Sequence, residues 1–167
     1  SSVYPSGREY VLRDYRMPEE KTAVQKEFSE RDAQIVRKNV EENVLDMVRA
    51  HPETTFYFYT PPYSIVWWYT QQCYGNVLRY FEAEKLQAEM LLEYDNVKLY
   101  SFADMFDLTQ DLDNYKDDKH YNAEISDKII DWIYDGTGLI TKENYEERIS
   151  KMEEFYLNQV SESSFSE

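Results

Sequence analysis

The chain has 167 residues, 33 of them acidic and 18 basic, for a formal charge of −15, and 42% of it is apolar. That is enough for one domain with a real core. The acid excess argues against phosphate backbone as the main partner, and no apolar run approaches the ~18–20 residues of a membrane span. One cysteine, Cys73, excludes an internal disulfide and a cysteine-based zinc site. Sixteen tyrosines stand against four glycines, and no GxGxxG or GxxxxGK[ST] phosphate loop occurs.

Residues 1–17 hold Pro5, Gly7 and no sustained period, which predicts an irregular arm. Pro18, Glu19 and Glu20 then read as the first turn of a helix. Val24, Phe28, Ile35, Val36, Val40, Val44, Met47 and Val48 recur at helical spacing until His51-Pro52 stops them. Residues 54–60 (TTFYFYT) are β-branched and aromatic, which predicts a strand. Bulky residues on both faces predict an interior strand, covered on each side. Pro61-Pro62 ends it, and residues 64–72 form a short apolar helical stretch before Gly75-Asn76.

A second clear helix runs over about residues 76–93, with Val77, Leu78, Phe81, Ala88, Leu91 and Leu92 in one stripe. Residues 97–102 (VKLYSF) make a second strand. Strand, helix and strand form a βαβ unit, hence parallel pairing and a right-handed crossover. The fold class is α/β, a small parallel sheet flanked by helices. An acidic loop follows, with Asp104, Asp107, Asp111, Asp113, Asp117 and Asp118. Asn122 caps the next helix, whose buried face is Ile125, Ile129, Ile130 and Ile133. Gly136 and Gly138 end it, and Thr141 caps a last amphipathic helix carrying Tyr145, Ile149, Met152 and Tyr156. Residues 18–157 therefore form one α/β domain, with residues 158–167 a flexible polar tail. Two strands alone leave open edges, so self-association or a longer parent is expected.

Within the acidic loop, Asp117 and His120 stand in a D-x-x-H arrangement, after the βαβ unit and before a helix. That spacing lets one loop supply a base and the carboxylate that orients it. The carboxylate accepts from one imidazole N–H, and the other nitrogen is left to take a proton from a nucleophile. Sites of open α/β folds lie beyond the carboxyl ends of the strands, which is where this loop falls. A lone D-x-x-H is most often a loop carboxylate beside a packing histidine, and context decides its weight.

Here the context resembles the C-terminal half of SGNH/GDSL-type hydrolases over about residues 22–134. The residues that carry the resemblance are FYFYTPPY (56–63) as a late strand leaving through prolines, 97–102 as the last strand, Asp117 to His120 as the D-x-x-H block, and 122–133 as the closing helix. YxDxxHYN (115–122) resembles the extracytoplasmic, membrane-anchored branch that acts on bacterial cell-envelope polymers. The resemblance implies a partial SGNH-hydrolase-like, flavodoxin-type fold. It also implies ester hydrolysis or acyl transfer on a carbohydrate or envelope polymer, with His120 as general base and Asp117 orienting it. The family's G-D-S serine block and the glycine and asparagine of its oxyanion hole are not in the sequence, nor is a G-x-S-x-G elbow. By element order they would lie upstream of Ser1, so the chain alone is expected to be inactive. The alternative is a non-catalytic binding or assembly domain derived from the same fold.

Ser64 follows a strand and a proline break, as a nucleophile would, but its ordinary use is the N-cap of residues 65–72. Tyr63, Ser64, Trp67 and Tyr121 are the candidate substrate cleft, in an aromatic cluster around the first strand's exit. Core packing is the ordinary use of such a cluster. Trp67, Trp68 and Tyr69 cannot share one helix face, so at least one is expected to be exposed. Asp111-x-Asp113 lacks the glycine and the twelfth-position glutamate of an EF-hand. His51 and His120 are the only histidines and lie on separate elements. No metal and no cofactor are therefore expected.

Overall fold

The computed structural model describes residues 5–22 and 24–166. In chain order the elements are α1 (Arg8–Asp14), α2 (Glu30–Val40), a π-helical turn (Glu41–Leu45) and α3 (Asp46–Ala50). Then come β1 (Phe56–Thr60), α4 (Ile65–Cys73), α5 (Val77–Leu91), β2 (Val97–Ser101) and α6 (Phe106–Gln110). After a 3-10 turn (Leu112–Asn114) follow α7 (Ala123–Asp135), β3 (Leu139–Ile140), α8 (Tyr145–Asn158) and a last 3-10 turn (Glu162–Ser164). The chain is α/β, with a small mixed sheet of order β1-β2-β3 flanked by helices.

β1 and β2 pair parallel, Phe56 against Val97 through Thr60 against Ser101, as a βαβ unit requires. The third strand is a departure from the sequence reading. Leu139 and Ile140 pair antiparallel to Tyr100 and Leu99, so the sheet is mixed rather than parallel. Two residues give no periodicity to read. Gly138 permits the approach: its φ is +83°, and a Cβ there would meet the Phe102 ring at 2.7 Å and the Ser101 carbonyl at 2.9 Å.

β1 is also an edge strand, not the interior strand expected. Phe56 and Phe58 face α2, α3 and α5 and pack with Val40, Leu45, Val48 and Leu91. On the other face Tyr57 and Tyr59 are 54% and 42% exposed. α7 lies on that face but shields β2, through Ile125 and Ile129 against Tyr100 and Phe102. Ile133 is half-buried there, and Ile130 is 66% exposed.

The first long helix starts at Glu30, twelve residues later than the pattern suggested. Ser29 accepts from the Asp32 N–H, and Asp32 accepts from the Ser29 N–H, a closed capping box. The described residues among 18–28 form no helix and meet the end of α4 instead: Thr22 N–H donates to the Cys73 carbonyl at 2.9 Å, and Lys26 N–H to that of Gly75 at 2.8 Å. Tertiary partners here outweigh local propensity, and Val24 and Ile35 are exposed.

The largest core cluster gathers α4, α5 and α8 around Trp68, which stacks on Tyr156 at 4.3 Å and on Phe81 at 4.8 Å. Trp68 and Tyr69 are buried and Trp67 is half-buried. α8 is preceded by Asn144, not capped directly by Thr141: the Asn144 amide oxygen accepts from Thr141 N–H at 2.8 Å. Neither end of the chain is loose where it is described. α1 forms in the expected irregular arm and buries Val11. In the expected flexible tail Phe165 is 2% exposed, edge-on to Tyr15 and Tyr69, and its carbonyl accepts from the Arg8 guanidinium at 2.6 Å.

Candidate functional site

The loop between α6 and α7 is a small hairpin. Tyr115 and Tyr121 form an isolated antiparallel bridge. Lys116 N–H donates to the His120 carbonyl, and Asn122 N–H to that of Asn114, each at 2.8 Å. Asn122 then caps α7 by accepting from Ile125 N–H at 3.1 Å. The hairpin is tied to the exit of β1 by two hydroxyls. The buried Tyr115 hydroxyl donates to the Pro62 carbonyl at 2.6 Å, and the Ser64 hydroxyl donates to the Asp118 carbonyl.

Asp117 and His120 meet at the tip. His120 Nδ1 lies 2.9 Å from Asp117 Oδ2 and 3.1 Å from Oδ1. The Oδ1 atom also accepts from the backbone N–H groups of Lys119 at 2.9 Å and His120 at 2.7 Å. Partial burial pushes the Asp117 carboxyl up, but those two N–H groups and the imidazole more than offset it, and its pKa lies below the usual value. The His120 side chain is 72% exposed, and its Nδ1 is engaged by Asp117. An imidazole held through Nδ1–H has a basic Nε2.

Ser64 is fully buried. Its oxygen accepts from Trp67 N–H at 3.3 Å, so it is the N-cap of α4. Its proton goes to a main-chain carbonyl rather than to the imidazole. Tyr63 packs on Trp67 at 4.4 Å, with Lys119 Nζ 5.1 Å above its ring. The Tyr121 hydroxyl lies 3.3 Å from that of Tyr59, and burial pushes the Tyr121 phenol above its usual pKa. Tyr63, Tyr121 and the pair thus share the rim of one hairpin, with Trp67 behind Tyr63.

Sequence reasoning missed what the arm brings. A cavity of about 250 Å³ beside Asp117 is lined by Val11, Asp14, Tyr15, Arg16, Thr70 and Asp118. The Tyr15 hydroxyl and Thr70 Oγ1, both in its lining, are 2.9 Å apart. Burial, and secondarily Asp117, pushes the Asp118 carboxyl up. No local signal marks Val11, Asp14, Tyr15 and Arg16, because they lie about a hundred positions from the loop they meet. Among the described residues no group of three or more His, Cys, Asp or Glu could hold a metal ion, and no helix is long and apolar enough to cross a membrane. No known family model, no curated protein and no solved structure matches the chain.

Proposed function

We infer that this chain is the base-supplying part of an SGNH-like ester hydrolase or acyltransferase, acting on a carbohydrate or envelope polymer. The observation that carries the reading is the 2.9 Å contact between His120 Nδ1 and Asp117 Oδ2, on a loop that follows β2. In the reaction His120 Nε2 takes the proton of an attacking hydroxyl. Asp117 accepts from Nδ1–H, holds that tautomer and stabilises the imidazolium. The nucleophile comes from outside this chain, since Ser64 is buried and already bonded to Asp118. Tyr121 offers an aromatic face at the rim for a sugar ring, beside Tyr63, whose ring packs on Trp67 under Lys119.

A second reading has its own observation. Asp117 Oδ1 accepts from two backbone N–H groups of its own loop, which is also what a turn-forming aspartate does. A non-catalytic binding domain would keep that turn. Expression of the whole reading frame that contains residues 1–167 separates the two. The hydrolase reading expects release of acetate from an acetylated glycan, falling by about 10²-fold or more in His120→Ala. An active protein indifferent to His120→Ala and Asp117→Asn, or one without activity, overturns it in favour of the binding domain.

A further inference from the structure

β1 closes the sheet on one side, and among the described residues its outer edge carries no strand. The ladder fixes which groups face outward. Phe56 N–H donates to the Asn96 carbonyl at 2.8 Å, and the Thr60 carbonyl accepts from Phe102 N–H at 3.1 Å. Phe56, Phe58 and Thr60 therefore turn their backbone groups to β2. Backbone groups alternate along a strand paired on one side, so the N–H and C=O of Tyr57 and Tyr59 point out of the sheet.

Natural edges are blunted by charge, proline, a bulge or brevity. β1 has none of these. No Asp, Glu, Lys or Arg occurs from Thr54 to Leu78, and the prolines follow the strand rather than interrupt it. The opposite edge is β3, only two residues long. The sheet is thus blunt on one side and open on the other. Unpaired backbone along an uncharged edge is what an added strand covers.

We propose that β1 pairs antiparallel with β1 of a second copy, about a twofold axis through Phe58. The strand Phe-Tyr-Phe-Tyr-Thr is self-complementary in this register. Tyr57 falls opposite Tyr59 of the second copy and exchanges both outward hydrogen bonds with it. The two Phe58 residues meet on the axis as a non-hydrogen-bonded pair, their own backbone groups being spent on β2. In the same register Thr55 falls opposite Pro61, which has no N–H, so the ladder is confined to the Tyr57–Tyr59 pairs, and no charged residue lies within it. Two chains of −15 repel at long range, but an uncharged seam leaves that repulsion to be screened by salt. The screening length drops from about 30 Å at 0.01 M to about 10 Å at 0.1 M. With one open edge per copy the assembly closes as a twofold dimer and does not extend into a fibre.

The test combines sedimentation equilibrium of the intact chain at low and high salt with residue-resolved amide exchange across β1. The expected result is a dimer that tightens with salt. The Tyr57 and Tyr59 amides gain protection as concentration rises, while those of Phe56 and Phe58 are protected throughout. Tyr57→Lys with Tyr59→Lys removes the Tyr59–Tyr121 hydroxyl contact and is expected to weaken the dimer by about tenfold or more, through like charges set opposite. A monomer at every concentration, open-ended assemblies, or a dimer in which the Tyr57 and Tyr59 amides exchange freely overturns the proposal. The exchange measurement needs no variant, so it decides even if the double variant fails to fold.

Discussion

The Ser64 hydroxyl donates to the main-chain carbonyl of Asp118 while its oxygen caps α4 by accepting from Trp67 N–H. One buried side chain thus joins the start of a core helix to the loop that carries the histidine. Removing it leaves an orphan N–H at the helix start and an unpaired carbonyl. Ser64→Ala is expected to cost about 2 kcal/mol, read as a shift in the urea midpoint. The same placement predicts that a fluorophosphonate ester does not label the isolated chain, and that the chain does not turn over an activated acetyl ester. Labelling at Ser64 would make it a nucleophile and overturn its assignment as a cap.

Glu84, on α5, sits beneath the carboxyl ends of β1 and β2. It accepts from Thr60 Oγ1 at 2.8 Å and from Ser101 Oγ at 3.5 Å, while its Oε2 is buried with no hydrogen-bond partner among the described residues. Burial pushes its pKa up to about 7, against those hydroxyls, with Asp104 adding to the rise and Arg148 opposing it. The folded chain then holds a proton that the unfolded chain releases near pH 4.5. Glu84's contribution to stability is full below that pH, declines as pH rises toward 7 and levels off above it. The swing is on the order of 3 kcal/mol. Glu84→Gln is expected to flatten this part of the profile and to raise the thermal midpoint at pH 8 relative to the parent. An unchanged difference between parent and variant from pH 5 to pH 8 would show that Glu84 is ionised throughout.

Phe165 is held between Tyr15 and Tyr69, so the last residues belong to the core. Phe165→Ala is expected to cost about 3 kcal/mol or more, and removal of residues 158–167 to cost more than the alanine change. A truncated chain as stable as the parent in urea would return this segment to the status of a tail.

Long, strongly patterned segments were legible from residues alone. The parallel pairing of β1 with β2, the Asn122 cap of α7 and the buried stripes of α5 and α8 all follow from period and capping chemistry. What was not legible depends on partners far away in the chain. Val24 and Phe28 stand at helical spacing, yet the neighbouring Thr22 and Lys26 spend their N–H groups on Cys73 and Gly75. β3 is too short to have a pattern. β1 reads as interior because both its faces are bulky, and only the strand order reveals an edge. At the site, a spacing of three brought Asp117 and His120 together as expected. The hydroxyls that fix their loop, from Tyr115 and Ser64, follow from no spacing rule.

Asp117 Oδ2, 2.9 Å from His120 Nδ1, favours the tautomer with Nδ1 protonated and Nε2 bare. Nitrogen-15 NMR of the neutral imidazole measures this directly, with free histidine as the reference. The Nδ1–H form, the minor form of a free imidazole, is expected for His120 and is expected to be lost in Asp117→Ala. A His120 ring found as the Nε2–H form, or a tautomer ratio that Asp117→Ala leaves unchanged, would contradict it.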